Sequence, residues 1–443
     1  MERGNFGSKV GAVLASAGSA VGLGNIWRFP TECGSNGGAA FILVYLACVF
    51  LLAMPVMVAE FVMGRASRSN TVGSYAVLAP GKPWIVSGFM GVLAGFLVLS
   101  YYSVVAGWTL DYTYETLSCG LMAESDFGKY FADFVSNPWR PVVFLLLFLL
   151  LTHFVVAVGV EKGIERYSKI MMPMLLLIMV VLVGVSITMP NAAEGIRFLL
   201  RPDFSKVTRD VILSAMGQAF FTLSVGIGTL ATYASYFSKE TRLFQSAMSV
   251  CVIDTLVAIS AGFIIFPAVF SVGVNADSGP GLVFITLPYV FREAFAGMPL
   301  LMYVFSGLFY VLLLLAALTS SISMHEICTA YIHETFKLSR KMAATIVTGI
   351  CFCLGVACSL SFGLWKDVTV MGMGFFSLFD FLTAKFLMPL GGLLICTFVG
   401  WDMRHKLVAE ELNTKALPLL MILFRWVAPM GIGIVFIYGL VSA

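Results

Sequence analysis

A handful of oxygen-bearing side chains sit where apolar runs should be uninterrupted. They are Asn25, Thr222, Ser224, Asp254, Thr319 and Ser320, each inside a long hydrophobic stretch. Carboxamide, hydroxyl and carboxylate oxygens are the donors that a hard cation such as sodium selects, about five or six at a time. Backbone carbonyls can complete such a set only where a helix is interrupted. The segment Gly18-Ser-Ala-Val-Gly-Leu-Gly-Asn-Ile-Trp-Arg-Phe-Pro30 supplies that interruption, with glycines at 18, 22 and 24 beside Asn25 and Arg28. Irregular backbone at membrane depth is tolerated only where protein or a water-filled cavity surrounds it, so an unwound span is a candidate ion and solute site. Each feature also has a plainer reading. Small residues let membrane helices pack closely, Thr-Ser-Ser on a helix commonly back-bonds to carbonyls, and Asp254 can be a buried group paired with backbone. Packing alone does not call for Asn25 and Arg28, and a carboxylate at membrane depth is a functional hypothesis by default.

The elements that must position these groups are membrane helices. The 443 residues are 59% hydrophobic and 12% charged, outside the range of soluble domains. Eleven spans are expected, near 8–31, 39–63, 85–112, 142–160, 170–189, 211–237, 244–272, 299–335, 343–361, 375–401 and 417–442. A second interruption, Gln218-Ala-Phe-Phe-Thr-Leu-Ser-Val-Gly-Ile-Gly228, falls in span 6 as the first falls in span 1. Five spans separate the two starts, and an odd offset makes them enter from opposite faces. The pattern predicts one transporter domain over 1–443, built as an inverted repeat of spans 1–5 (about 6–190) and 6–10 (about 210–401), with an extra span 11 at about 417–442.

Lys and Arg set the orientation. With the N-terminus inside, the cytoplasmic segments hold sixteen of them in mostly short loops and the outer segments eight. The N-terminus is therefore placed in the cytoplasm and the C-terminus outside. No cleavable signal pattern precedes span 1. Loops 111–140, 197–210 and 275–297 are the expected external covers, the last with a re-entrant or surface helix over 284–295. The nine cysteines show no disulfide or metal spacing. His325-Glu326 and His333-Glu334 lack the second histidine of a zinc-protease helix, so enzyme chemistry is not supported. A channel would need a continuous polar pore or filter ring, and a transporter-like sensor would keep the same site.

Five motifs, GSAVGLGNIWRFP (18–30), NGGAAF (36–41), GQAFFTLSVGIG (217–228), TYASY (232–236) and ALTSSIS (317–323), resemble the neurotransmitter:sodium symporter family over nearly the whole chain. The resemblance implies an all-α fold of the leucine-transporter type, in the eleven-span form of bacterial members. It implies sodium-coupled import of an amino acid by alternating access in a bacterial inner membrane. The partners implied are two sodium ions, the amino acid and the bilayer, with no nucleic acid. Oligomeric state is not legible.

Carried over by position, the resemblance places a first sodium at Ala20, Asn25, Thr222 and Asp254, completed by the substrate carboxylate. It places a second at Gly18, Val21, Ala316, Thr319 and Ser320. The substrate pocket would be Ser19, Ala20, Leu23, Gly24, Val98, Tyr102, Phe221, Thr222, Ser224, Ile227, Ser320 and Met324. Tyr102 would hold the carboxylate and Phe221 would close over it. Arg28 with Asp380 would form the outer gate, and Arg3 with Glu334, near Tyr236, the inner one. Phe6 stands where the family has a tryptophan, and Glu60 resembles a buried carboxylate that braces the unwound segments. Lys385 has no assigned role. Gly22 stands where monoamine-type members carry aspartate, which implies a substrate with its own carboxylate. Asp254 stands where a well-known bacterial member carries asparagine. Its charge implies that chloride is not needed. The small Ser19 and Ile227 and the adaptable Met324 imply a bulky hydrophobic or aromatic amino acid.

Overall fold

In a bilayer each backbone polar group must find its partner within the protein, so long apolar runs fold as helices. The computed structural model describes residues 6–124, 126–272 and 282–441, and their regular structure is helical apart from one isolated bridge between Val370 and Met373. Nine described helices are long and apolar enough to cross a membrane: Ala39–Ser67, Ile85–Leu117, Arg140–Val158, Val160–Ser186, Leu243–Ser271, Pro299–Phe336, Arg340–Leu360, Phe375–Asp402 and Leu417–Ile434. They correspond to spans 2–5 and 7–11. Span 1 is the bent pair Lys9–Ala20 and Gly24–Ser35, with 49° between its halves. Span 6 is Arg209–Thr222 followed by Thr229–Ala234. Neither half alone reaches the ~20 residues that a crossing needs.

One boundary moves substantially. Residues 161–169 were expected as a loop, but they are the first turns of span 5, which starts at Val160. The whole connection from span 4 is Gly159, at φ 117, a conformation that glycine alone adopts readily. Between the spans, Phe127–Ser136, Ala192–Leu200 and Thr286–Ala294 form short helices. Gly279-Pro280-Gly281 lies outside the described residues.

Proline shapes several spans. Four wide π turns, Gly24–Arg28, Val49–Ala53, Leu382–Leu387 and Leu423–Val427, each end two residues before a proline (Pro30, Pro55, Pro389 and Pro429). Proline removes the donor for the carbonyl four residues back and crowds it, and the helix widens there. Before Pro429 the freed carbonyl is that of Arg425, and Trp401 Nε1–H donates to it at 3.2 Å.

Spans 3, 4, 8 and 9 pack on one another, while spans 1, 2, 6 and 7 pack around the two interruptions. Contact at the second interruption is backbone to backbone. A Cβ on Gly64 of span 2 would lie 1.9 Å from the carbonyl oxygen of Ala231, and one on Gly391 of span 10 would lie 1.8 Å from that of Gly226. Gly184 of span 5 has open space at the same test. Gly64→Ala should therefore cost about 1–3 kcal/mol by overpacking. It should lower the thermal midpoint of the detergent-purified protein, whereas Gly184→Ala should leave it unchanged or higher.

Candidate functional site

The first interruption begins where Val21 turns extended, at ψ 110, after a helix capped by the Ser8 hydroxyl. Side chains from three directions then satisfy its backbone. Gly22 N–H donates to Asn25 Oδ1 at 2.9 Å, Leu23 N–H donates to the Tyr102 hydroxyl at 3.2 Å, and Gln218 Nε2–H donates to the Gly24 carbonyl at 2.8 Å. The carbonyls at the end of the first half-helix face span 8. Thr319 Oγ1–H is 3.1 Å from the Val21 oxygen and 3.0 Å from that of Ala316. Ser320 Oγ–H is 3.0 Å from the Val21 oxygen, 3.2 Å from that of Ser19 and 3.5 Å from that of Gly18. Gly18, Val21, Ala316, Thr319 and Ser320 thus converge, five oxygens with no nitrogen or sulfur among them.

The second interruption turns at Ser224, Gly226 and Gly228, all with positive φ. Ser224 Oγ–H reaches back to the Ser19 carbonyl at 3.1 Å, which ties the two interruptions together. Glu60 of span 2 accepts three amides of this segment, Gly226 N–H at 2.7 Å and Leu230 and Ala231 N–H at 3.1 Å. Its bracing is thus directed at the second interruption.

Asp254 of span 7 is fully buried between the interruptions. Asn25 Nδ2–H donates to its Oδ1 at 2.7 Å and to its backbone oxygen at 3.1 Å, Thr222 Oγ1–H lies 3.2 Å from both carboxylate oxygens, and Tyr45 Oη–H is 3.4 Å from Oδ2. Asn25 presents its nitrogen to Asp254 and its oxygen to Gly22. Ala20 closes the first half-helix and is buried. Among the described residues no Lys or Arg forms an ion pair with Asp254, so its charge is left to neutral donors. A buried carboxylate without a cation is costly.

The residues expected to line a pocket are buried, except half-buried Phe221. A Cβ on Gly22 would stand 2.2 Å from Ser320 Oγ and 2.9 Å from Tyr102 Oη, so these three meet at one point. The Phe221 ring lies 3.0 Å from a Cβ on Gly24. Ser19 donates to Ser323 at 2.8 Å. Ile227 packs in a small apolar group with Ala94 and Met388, against which Phe221 and Leu387 also rest. Val98 and Met324 are buried on spans 3 and 8.

Above Phe221 a cavity of about 560 Å³ opens, lined in part by Arg28, Asp380 and Lys385. The Arg28 guanidinium sits 4.5 Å over the Phe221 ring, and its nearest approach to Asp380 is 3.9 Å. On the face nearer Phe6, Tyr236 Oη–H donates to Glu326 at 2.6 Å, and Arg340 pairs with the same carboxylate. Glu334, two turns further along span 8, accepts the Asn70 backbone and side-chain N–H groups at 3.0 and 2.8 Å. Arg3 lies outside the described residues. Phe6 packs edge-on against Tyr233 and Tyr236 and donates its N–H to the Tyr236 carbonyl at 3.0 Å. Tyr45, Gln218, Ser323, Glu326 and Arg340 were not singled out from sequence as parts of these networks. For Glu326 a signal existed, since a carboxylate within a long apolar span is rare.

The family model described as the sodium:neurotransmitter symporter family matches residues 3–125 and 133–443. An uncharacterised sodium-dependent transporter of Bacillus subtilis (strain 168), YhdH, is 41% identical over 440 residues, covering 98% of this chain and 96% of that one. The mouse sodium- and chloride-dependent GABA transporter 2 is 24% identical over 502 residues, covering all of this chain and 81% of the mouse protein. The crystal structure of MhsT in complex with L-phenylalanine superposes with a TM-score of 0.92 at 44% identity, over 99% of this chain and 100% of MhsT. The fold, the two interrupted spans and these likenesses agree, and the chain belongs to the sodium:neurotransmitter symporter family.

Proposed function

We propose that this sodium symporter carries an α-amino acid with a hydrophobic or aromatic side chain, coupled to two sodium ions and independent of chloride. The observation that carries the reading is Asp254, a buried carboxylate with no Lys or Arg paired to it, beside Asn25, Thr222 and the carbonyl end of a half-helix at Ala20. Such a group attracts a cation, and the oxygens around it suit sodium. A second ion fits the oxygens of Gly18, Val21, Ala316, Thr319 and Ser320. When bound, the second ion would replace the hydroxyl-to-carbonyl hydrogen bonds that Thr319 and Ser320 now make and draw spans 1 and 8 together.

The substrate's charge follows from the same geometry. An acidic side chain at position 22 would collide with Ser320 and Tyr102. The Tyr102 hydroxyl, already at the Leu23 amide, is placed to donate to a substrate carboxylate. MhsT was crystallised with L-phenylalanine, which favours a large apolar side chain held among Val98, Phe221, Ile227 and Met324. Ser19, Ala20, Leu23, Gly24, Thr222, Ser224 and Ser320 would surround its α-carbon groups. The GABA transporter whose name includes chloride dependence is far more distant, and Asp254 supplies here the negative charge that an anion would otherwise bring. Arg28 with Asp380 would gate the outer side, and Glu334, Arg3 and Tyr236 the inner one. The excess of Lys and Arg in one set of loops supports an N-terminus in the cytoplasm and a C-terminus outside.

Proteoliposomes with an inward sodium gradient should accumulate labelled phenylalanine, tryptophan, tyrosine or leucine, and replacing chloride by gluconate should leave the rate unchanged. Asp254→Ala should abolish accumulation in protein that remains monodisperse. A strict chloride requirement would overturn the assignment to Asp254, and amino acid binding without accumulation would point to a sensor.

Thr319→Val and Ser320→Ala should each raise the sodium concentration for half-maximal uptake about tenfold, the equivalent of roughly 1.4 kcal/mol of lost ion binding. An unchanged sodium dependence would remove these residues from the ion site.

A further inference from the structure

Arg28 has two carboxylates at equal range. Its Nη1 lies 3.9 Å from Asp380 Oδ1 and its Nε lies 3.9 Å from Glu32 Oε1. Glu32 is one helical turn beyond Arg28, on the same half-helix, whereas Asp380 belongs to span 10. The other oxygen of Glu32 is already held. Ser214 Oγ–H of span 6 donates to Oε2 at 2.6 Å, and Asn36 Nδ2–H approaches Oε2 at 3.4 Å and Ser214 Oγ at 3.2 Å. Glu32 is thereby fixed to spans 1 and 6, with Oε1 turned toward the arginine.

We propose that Glu32 is a positioning residue of the outer gate, a second acceptor that competes with Asp380 for Arg28. The inference rests on the reading of Arg28 and Asp380 as that gate. A planar guanidinium with five donors can serve two carboxylates at once. The side chains of Arg28, Glu32 and Asp380 are 25%, 28% and 42% exposed, so water reaches all three and neither pair is locked. When spans 1 and 6 part from span 10, Asp380 stays behind and Arg28 keeps Glu32. When they close, Arg28 bridges to Asp380 above the Phe221 ring. Glu32 thus stabilises the arginine in the open position and lowers the preference for the closed one.

The test is access from outside to a cysteine beneath the gate. Val98 is buried one helical turn inward of Tyr102 on span 3. With Cys119 and Cys353 replaced by serine, Val98→Cys would be modified by a membrane-impermeant thiosulfonate in right-side-out vesicles, without added amino acid. Glu32→Gln keeps the shape and the acceptor for Ser214 but removes the charge. It should slow modification about two- to fivefold, the range of a partly exposed ion pair. Asp380→Asn should speed it by a similar factor. An unchanged or faster rate in Glu32→Gln overturns the proposal. Should that variant not fold, Glu32→Ala is read by the same criterion. Sodium-driven uptake, measured in parallel on protein without the reporter cysteine, keeps the two readings apart. Uptake that persists while Glu32→Gln leaves access unchanged sinks only the role of Glu32. Altered access without any amino acid uptake sinks only the proposed substrate.

Discussion

Backbone groups stripped of helical partners inside an apolar slab are the constraint on which the rest of this structure depends. Each unsatisfied amide or carbonyl there costs several kcal/mol, yet spans 1 and 6 both open near the middle of the protein. The chain meets the cost in two different ways. At the second interruption one carboxylate, Glu60, accepts three amides, and glycines at 64 and 391 let neighbouring backbones press against the carbonyls. At the first, the amides are taken by Asn25 and Tyr102, while the carbonyls meet hydroxyls of Thr319, Ser320 and Ser224. The hydroxyl contacts are exchangeable in a way that the Glu60 contacts are not. A bound cation can replace a hydroxyl proton at a carbonyl, whereas nothing else in the fold could replace a buried carboxylate holding three amides.

The two buried acids differ in the same sense. Glu60 is matched by amide donors and acts as a strut. Asp254 is met by an amide, a threonine and a tyrosine, and its charge stays unopposed by any described Lys or Arg. Around them the two faces of the protein are closed differently. The face nearer Phe6 is held by Tyr236 and Arg340 on Glu326, with Arg65 bonded to Glu411 and to the Thr241 carbonyl. The opposite face is covered by the Phe221 ring with an arginine resting on it, beneath a cavity. A ring and a solvent-touched guanidinium are easier to move than an embedded ion-pair network, so the cover at Phe221 is the looser of the two.

Much of this was legible in the chain. Apart from the start of span 5, length and hydropathy set the spans to within a few residues, because ~20 apolar residues have few other options in a bilayer. Glycines beside Asn25 in one span, and Ser224 with Gly226 and Gly228 in another, marked both interruptions, since helix-breaking residues at that depth need a reason. The start of span 5 was misplaced because Glu161, Lys162 and Arg166 read as a polar loop. In the fold they form the first turns of the helix, and a single glycine makes the connection.

Residue types by themselves determined that oxygen ligands, a membrane-depth carboxylate and interrupted helices coexist in this protein, because each is a local property of composition and spacing. Only the tertiary structure decided which oxygens meet. It took the crossing of spans 1 and 8 to bring Thr319 and Ser320 to the carbonyls of Gly18 and Val21, residues about 300 positions apart. It likewise took helix packing to give Glu60 to the second interruption, to seat Tyr236 on Glu326, and to stand Arg28 midway between Glu32 and Asp380. Pairings across such separations depend on helix rotation and depth, which the pattern of a single span does not encode.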